Sequence, residues 1–160
     1  MDEAYLLPRS ASIEDPLRIA VLISGGGSGL AALLRYQESE VRTHQTVLVL
    51  ADSEDAGGLE HGRSHGIETL GISLPTLEDR VQRRLAHEEL VHTALVNAEV
   101  ELVVLSGYMR ILTPSFVKRW KGRLVNIHPS LLPKYPGAHA HRDALADGAT
   151  VSGCTVHLVD

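Results

Sequence analysis

Two side chains near residue 127 have types and a spacing that could move a proton beside a developing negative charge. Asn126 and His128 stand two residues apart at the end of a short apolar run, so both would share one face of a strand. An amide can donate a hydrogen bond to an oxyanion, and an imidazole can transfer a proton near neutral pH. A turn-forming Asn followed by a surface His is the competing interpretation, and residue types alone leave both open.

Three prolines follow this pair, at positions 129, 133 and 136. Proline lacks a backbone N–H and fixes its own φ, so this stretch cannot continue as a regular strand or helix. We therefore expect a stiff loop that could hold a site in place.

A second candidate is the glycine-rich run Ser24–Gly29, SGGGSG. Glycines allow close approach of a ligand to the backbone, and the start of a helix presents free amides and the positive end of its dipole. Ser28 adds a hydroxyl donor and could also cap the helix. The run lacks the Lys-Ser/Thr ending of a nucleotide-binding P-loop, and Leu30 breaks a G-x-G-x-x-G register. It predicts a phosphate site, with a tight turn that binds nothing as the alternative.

The elements that must position these residues alternate along the chain. Strands are predicted at 17–23, 46–50, 68–72, 101–105, 123–127 and 151–159, and helices at 30–38, 57–65, 77–96, 114–120 and 141–147. In the longest helix, we expect Leu85, Leu90, Ala94 and Leu95 on or near the buried face. Alternation of this kind predicts an α/β fold with a doubly wound, mostly parallel sheet.

Ligands of open α/β sheets bind at the carboxyl ends of the strands. The loops that follow three of the predicted strands are 24–29, 106–112 and 126–137, so we expect a site that these three loops share.

Length and charge exclude several classes of function. The 160 residues suit one domain, which we place at 17–160 after an N-terminal extension at 1–16 that does not resemble a secretory signal. A net charge of −5 gives no general affinity for nucleic acid, and no apolar run could span a membrane. Cys154 is the single cysteine, which fits a reducing cytoplasm.

Three motifs in order resemble those of the glycinamide ribonucleotide (GAR) formyltransferases, within the folate-dependent formyltransferases. They are Leu22–Ser28 (LISGGGS), Ser106–Leu112 (SGYMRIL) and Asn126–Gly137 (NIHPSLLPKYPG), followed by His139 and His141. The resemblance covers residues 18–159 almost continuously. It implies a Rossmann-like fold and formyl transfer from 10-formyltetrahydrofolate, as co-substrate, to the glycine amine of GAR in purine (IMP) biosynthesis, without a metal.

The resemblance also assigns roles to residues of this chain. Asn126 and His128 match the catalytic pair, and Gly27, Ser28 and Gly29 match the positions that hold the GAR phosphate. Met109, Arg110, Ile111 and Leu112 match the folate side, where Asn126 also contributes. An Arg at the start of the long helix touches folate in the family; Arg83 fits best by its spacing to Leu90, with Arg80 and Arg84 as rivals.

Two departures from the family pattern bear on function. Asn is common at positions 26 and 29, where this chain has Gly, so a side-chain contact is lost at Gly29. The family also continues beyond the VHLV strand to an Asp beside the catalytic His, whereas this sequence ends at Asp160. The sequence-based expectation is therefore a C-terminally incomplete domain. Two alternatives remain, a non-catalytic remnant that binds a phosphorylated ligand or partner chain, and a different folate-dependent formyltransferase. The sequence does not give the oligomeric state.

The remaining histidines carry weaker expectations. His139 and His141 could ligate a metal, but no Cys or carboxylate nearby completes a set. We expect the other five outside this segment to be surface residues: His44, His61, His65, His87 and His92. Cys154 is expected to be buried in the last strand.

Overall fold

The computed structural model describes residues 5–160, and within them six strands form one sheet flanked by five helices. The strands are β1 (Leu17–Ile23), β2 (His44–Ala51), β3 (Glu68–Gly71), β4 (Leu102–Ser106), β5 (Leu124–His128) and β6 (Thr155–Leu158). The helices are α1 (Ser28–Ser39), α2 (Leu59–Ser64), α3 (Arg80–Asn97), α4 (Pro114–Arg119) and α5 (Ala140–Ala146). The strand order is β3-β2-β1-β4-β5-β6, parallel throughout except for the antiparallel pair β5–β6. The predicted doubly wound, mostly parallel sheet is confirmed.

Strand β1 is buried on both faces because helices cover both sides of the sheet. Its alternating side chains divide between two core clusters. Ala20 and Leu22 belong to the cluster that includes residues of α3 and α4, whereas Val21 and Ile23 pack with residues of α1 and α2. All four are fully buried. This explains why the sequence of β1 is a nearly continuous apolar run and does not alternate between apolar and polar residues.

The order of the strands reverses between β1 and β4. From β1 the chain crosses to β2 and β3 on one side, then returns to place β4 against the other side of β1. The loops that leave the carboxyl ends of β1 and β4 therefore diverge and open a crevice, which is where open α/β sheets bind ligands. Because β5 is parallel to β4, its carboxyl end reaches the same edge.

The prediction for α3 was partly wrong. Leu90 is 49% exposed, whereas His87, expected at the surface, is buried at 3%. Its Nε2 donates to the backbone carbonyl of Ile72 at 2.7 Å. Glu88, also buried, accepts hydrogen bonds from the backbone N–H and the hydroxyl of Thr113. Hydrophobic periodicity could not reveal this face, because two of its buried positions are polar side chains that satisfy backbone groups of neighbouring loops.

The final strand is shorter than predicted, and Cys154 is exposed rather than buried in it. The ladder between β5 and β6 runs from the pair Val125–Leu158 to the pair His128–Thr155. Because β5 ends at His128, residues before Thr155 have no strand to pair with.

Part of the N-terminal extension is anchored to the domain; its residues 1–4 lie outside the described part of the chain. The guanidinium of Arg9 donates to Glu101, just before β4, with an Nη2–Oε1 distance of 2.9 Å. The same carboxylate accepts the backbone N–H of Arg18 at 3.1 Å. Residues 5–16 form no helix or strand, but these contacts fix their path.

We expect Glu101→Gln to destabilise the fold in a pH-dependent way. The hydrogen bond from Arg9 lowers the pKa of the Glu101 carboxyl below its usual 4.5. A lowered folded-state pKa gives stability that is present above the unfolded pKa and lost as pH falls through the folded pKa. The cost should stay below about 1 kcal/mol at pH 7, because solvent screens half-exposed ion pairs.

Urea denaturation at pH 7 and at pH 3.5 measures this difference, with Glu14→Gln at an exposed position as the control. The difference in free energy of unfolding between the wild type and Glu101→Gln should be smaller at pH 3.5 than at pH 7. A difference that is the same or larger at pH 3.5 would contradict the stabilising contact between Arg9 and the ionised Glu101 carboxylate.

Candidate active site

A cleft of about 850 Å³ opens at the carboxyl ends of β1, β4 and β5. Its walls are the three loops that the sequence singled out. The predicted site residues that line it are Gly27, Ser28, Gly29, Met109, Arg110, Ile111, Asn126 and His128. His141 of α5 also lines it. Segments about 80 and 100 residues apart in sequence are thus brought to one site by the strand order.

The glycine-rich loop ends in the helix start that its sequence predicts. Gly27 is the N-cap of α1 and lies in the left-handed region at φ 69°, which favours glycine. Ser28 is the first helical residue, and no side chain caps the helix, so the capping role considered for Ser28 is not found. The amides of the first turn lack intrahelical acceptors by the geometry of any helix. They lie where Gly27, Ser28 and Gly29 border the cleft.

The start of α2 holds this loop in place. The backbone N–H of Gly58 donates to the carbonyl of Gly25 at 2.9 Å, and His61 Nε2 donates to the carbonyl of Gly26 at 3.2 Å. Gly58 is buried, and a Cβ there would lie 2.6 Å from Ile23 Cδ1 and 2.8 Å from the Gly25 oxygen. Only glycine lets α2 approach the loop this closely.

We expect Gly58→Ala to destabilise the protein by about 1–3 kcal/mol, the usual cost of overpacking a tight contact. The neighbouring Gly57→Ala is the matched control, because a Cβ there meets nothing within 4 Å. Chemical denaturation of the two variants gives the comparison. Equal stability would show that α2 and the glycine-rich loop can move apart without cost.

The loop after β4 is held by residues that follow β1 and β2. The backbone N–H of Met109 donates to Ser24 Oγ at 2.8 Å, and Arg110 pairs with Asp52, just after β2, at 3.0 Å. Ile111 is 84% exposed and Met109 is 66% exposed, so this loop presents apolar side chains to the cleft instead of packing them in the core.

A second cavity of about 270 Å³ adjoins this loop. Leu112 lines it and also packs against the core. Arg84 lines it too, and its Nη2 donates to the carbonyl of Ile111 at 2.8 Å. Arg83 is half-buried, and it is not one of the described residues that line this cavity or the cleft. Arg84 thus contacts the 109–112 loop directly. Burial raises the pKa of Tyr108, which lines both spaces, well above its usual range.

Asn126 and His128 project from one side of β5 into the cleft, as their spacing predicts. Asn126 pairs with His157 across the antiparallel ladder, and its Nδ2 donates to His157 Nε2 at 3.3 Å. An amide carries two N–H donors, so a second hydrogen remains for a ligand.

The proline-rich loop fixes the orientation of His128. The ring Nε2 donates to the carbonyl of Tyr135 at 2.8 Å. Because a carbonyl only accepts, Nε2 carries the hydrogen, and Nδ1 is the basic nitrogen of the neutral ring. Buried Ser130 closes the loop by donating to the carbonyl of Lys134 at 2.6 Å, while Thr155 of β6 donates to the carbonyl of Ser130 at 2.7 Å.

Sequence reasoning did not identify the hydrogen bonds by which three residues shape this site. Ser24, Asp52 and His61 all hold cleft loops through the hydrogen bonds described above. Asp52 offered a usable signal, since an acidic residue directly after a buried strand lies at the ligand-binding edge. Asp160, by contrast, accepts a hydrogen bond from the Tyr5 hydroxyl at 2.8 Å and lines a separate cavity with Lys121.

Two features are absent from residues 5–160. No three His, Cys, Asp or Glu side chains are grouped so that they could hold a metal ion. No helix in this part of the chain has both the length and the apolar character that crossing a membrane requires.

The chain is similar in sequence to known proteins. A model of the formyl transferase family matches residues 17–160. The chain is 43% identical over 143 residues to phosphoribosylglycinamide formyltransferase of Escherichia coli, covering 89% of this chain and 66% of that protein. It is 47% identical over 145 residues to the trifunctional purine biosynthetic protein adenosine-3 of Drosophila melanogaster, covering 89% of this chain and 10% of that protein.

The structural comparison agrees. The crystal structure of phosphoribosylglycinamide formyltransferase from Brucella melitensis superposes with a TM-score of 0.82 at 38% identity, covering 90% of this chain and 73% of that one. The chain thus spans a tenth of the insect protein and about two thirds of the Escherichia coli enzyme. Because the family model matches most of the sequence and the fold agrees, the chain belongs to the formyl transferase family.

Proposed function

We propose that this chain transfers a formyl group from 10-formyltetrahydrofolate to the glycine amine of GAR, a step of purine synthesis that we place in the cytoplasm. The observation that carries the proposal is the single cleft that holds Asn126 and His128 between the glycine-rich loop and the 109–112 loop. The names of its relatives, phosphoribosylglycinamide formyltransferase among them, support GAR as the acceptor.

The two substrates would approach the reacting pair from different sides. The GAR phosphate binds at the start of α1, where the amides of Gly27, Ser28 and Gly29 and the helix dipole favour an anion. The folate lies along the 109–112 loop, against its exposed apolar side chains. Arg84 fits the folate-side Arg better than Arg83, because it contacts this loop directly.

The chemistry follows from the polar atoms of β5. The GAR amine attacks the formyl carbon, and the carbonyl oxygen becomes an oxyanion. The second Nδ2 hydrogen of Asn126 donates to that oxygen, where the negative charge develops. His128 takes up and returns a proton through Nδ1, so that the folate nitrogen leaves protonated.

An acceptor comparison tests this function. The chain is incubated with 10-formyltetrahydrofolate and, separately, GAR, a nucleotide-linked amino sugar or methionyl-tRNA, and release of tetrahydrofolate is followed. We expect transfer to GAR at least about 100-fold faster than to the other acceptors, because GAR alone has a terminal phosphate that could bind at the start of α1, in the cleft that also holds Asn126 and His128. Preferred transfer to the amino sugar or to tRNA would reassign the chain to another formyltransferase activity.

A further inference from the structure

Ser106, the last residue of β4, is in contact with the glycine-rich loop. It lines the cleft, is half-buried, and pairs in register with Ile127, which stands between Asn126 and His128. A Cβ built on Gly29 would collide with Ser106 Oγ. The Ser106 hydroxyl therefore occupies the space that a side chain on residue 29 would need.

Among the hydrogen bonds of residues 5–160, none involves Ser106 Oγ. A hydroxyl that borders an open cleft without a protein partner is available to hydrogen-bond to water or to a ligand. Since the hydroxyl borders the first turn of α1, the partner it fits is the same anion that the α1 amides would bind.

We propose that Ser106 is a phosphate-binding residue, and that its hydroxyl replaces a side-chain donor at position 29, where Gly29 has none. Gly29 and Ser106 then act as a pair: the glycine leaves the space, and the serine supplies the hydrogen bond from the neighbouring strand. This inference rests on the proposed function, since it assigns a residue to the phosphate end of GAR.

Ser106→Ala tests the assignment through the phosphate itself. Calorimetry measures binding of GAR and of its dephosphorylated riboside to the wild type and to the variant. We expect the variant to bind GAR about tenfold more weakly and the riboside equally well, since a hydrogen bond to a charged group contributes about tenfold or more in affinity. A merely structural role would weaken both ligands alike.

Two further variants complete the test. Ser73→Ala removes an exposed hydroxyl outside the cleft and should change neither affinity. Gly29→Ser combined with Ser106→Ala moves the hydroxyl to the other side of the contact, and should regain most of the lost preference for GAR over the riboside.

The proposal is overturned if Ser106→Ala keeps the wild-type preference for the phosphorylated ligand, if both ligands lose affinity equally, or if the wild type shows no such preference. Binding is measured without turnover. A chain that binds GAR through Ser106 but transfers no formyl group would therefore contradict the proposed function and not this inference.

Discussion

Asn126→Ala is expected to lower the rate of formyl transfer to GAR by about 100-fold or more. One preorganised donor to a developing oxyanion contributes about 3–4 kcal/mol in other enzymes, and each 1.4 kcal/mol corresponds to tenfold in rate. The loss should fall mainly on kcat, because the donor acts where charge develops and not on the bound substrate.

The chain provides its own control for this substitution. Asn97, the other asparagine, is exposed at the end of α3 and lies outside the cleft, so Asn97→Ala should keep the wild-type rate. Steady-state kinetics gives kcat and KM for both variants and for the wild type. Turnover of Asn126→Ala within a few-fold of the parent would remove Asn126 from the reaction.

His128→Ala is expected to reduce turnover by about 10²–10⁴-fold, the range that one positioned acid–base group contributes. The substitution also removes the hydrogen bond to the Tyr135 carbonyl, so part of the loss could come from the proline-rich loop. His128→Gln separates the two contributions, because a glutamine amide can donate to that carbonyl but cannot transfer a proton.

Both His128 variants should therefore be equally inactive, while thermal denaturation shows the alanine variant alone to be less stable. His65→Ala, at the end of α2 and outside the cleft, serves as the control. A glutamine variant that retained wild-type turnover would leave His128 a purely structural role.

Much of the fold follows from local sequence signals. The apolar run at Leu17–Ile23 has the bounds of β1, because a strand buried on both faces has no polar interruption. Ligands of open α/β sheets bind at the carboxyl ends of the strands, and this alone predicts that the loops 24–29, 106–112 and 126–137 share one edge of the sheet. Asn126 and His128 share a face because a strand alternates, which needs no tertiary information.

The remaining features depend on contacts between distant segments. The burial of His87 and Glu88 depends on acceptors and donors at Ile72 and Thr113, which no periodicity in α3 encodes. The exposure of Cys154 follows from where β5 ends, not from its own neighbours. The contact between Gly29 and Ser106 joins positions 77 residues apart. From the sequence alone, Gly29 only removes a side-chain contact, and the nearby Ser106 hydroxyl becomes evident once β4 is placed beside α1.

Formyl transfer by this 160-residue chain, with 10-formyltetrahydrofolate and GAR and with His128→Ala assayed in parallel, tests the central claim most directly. We predict transfer that depends on His128, carried out by the cleft between β1, β4 and β5. Transfer that persists in His128→Ala, or no transfer by a chain that is folded and binds both substrates, would contradict the account.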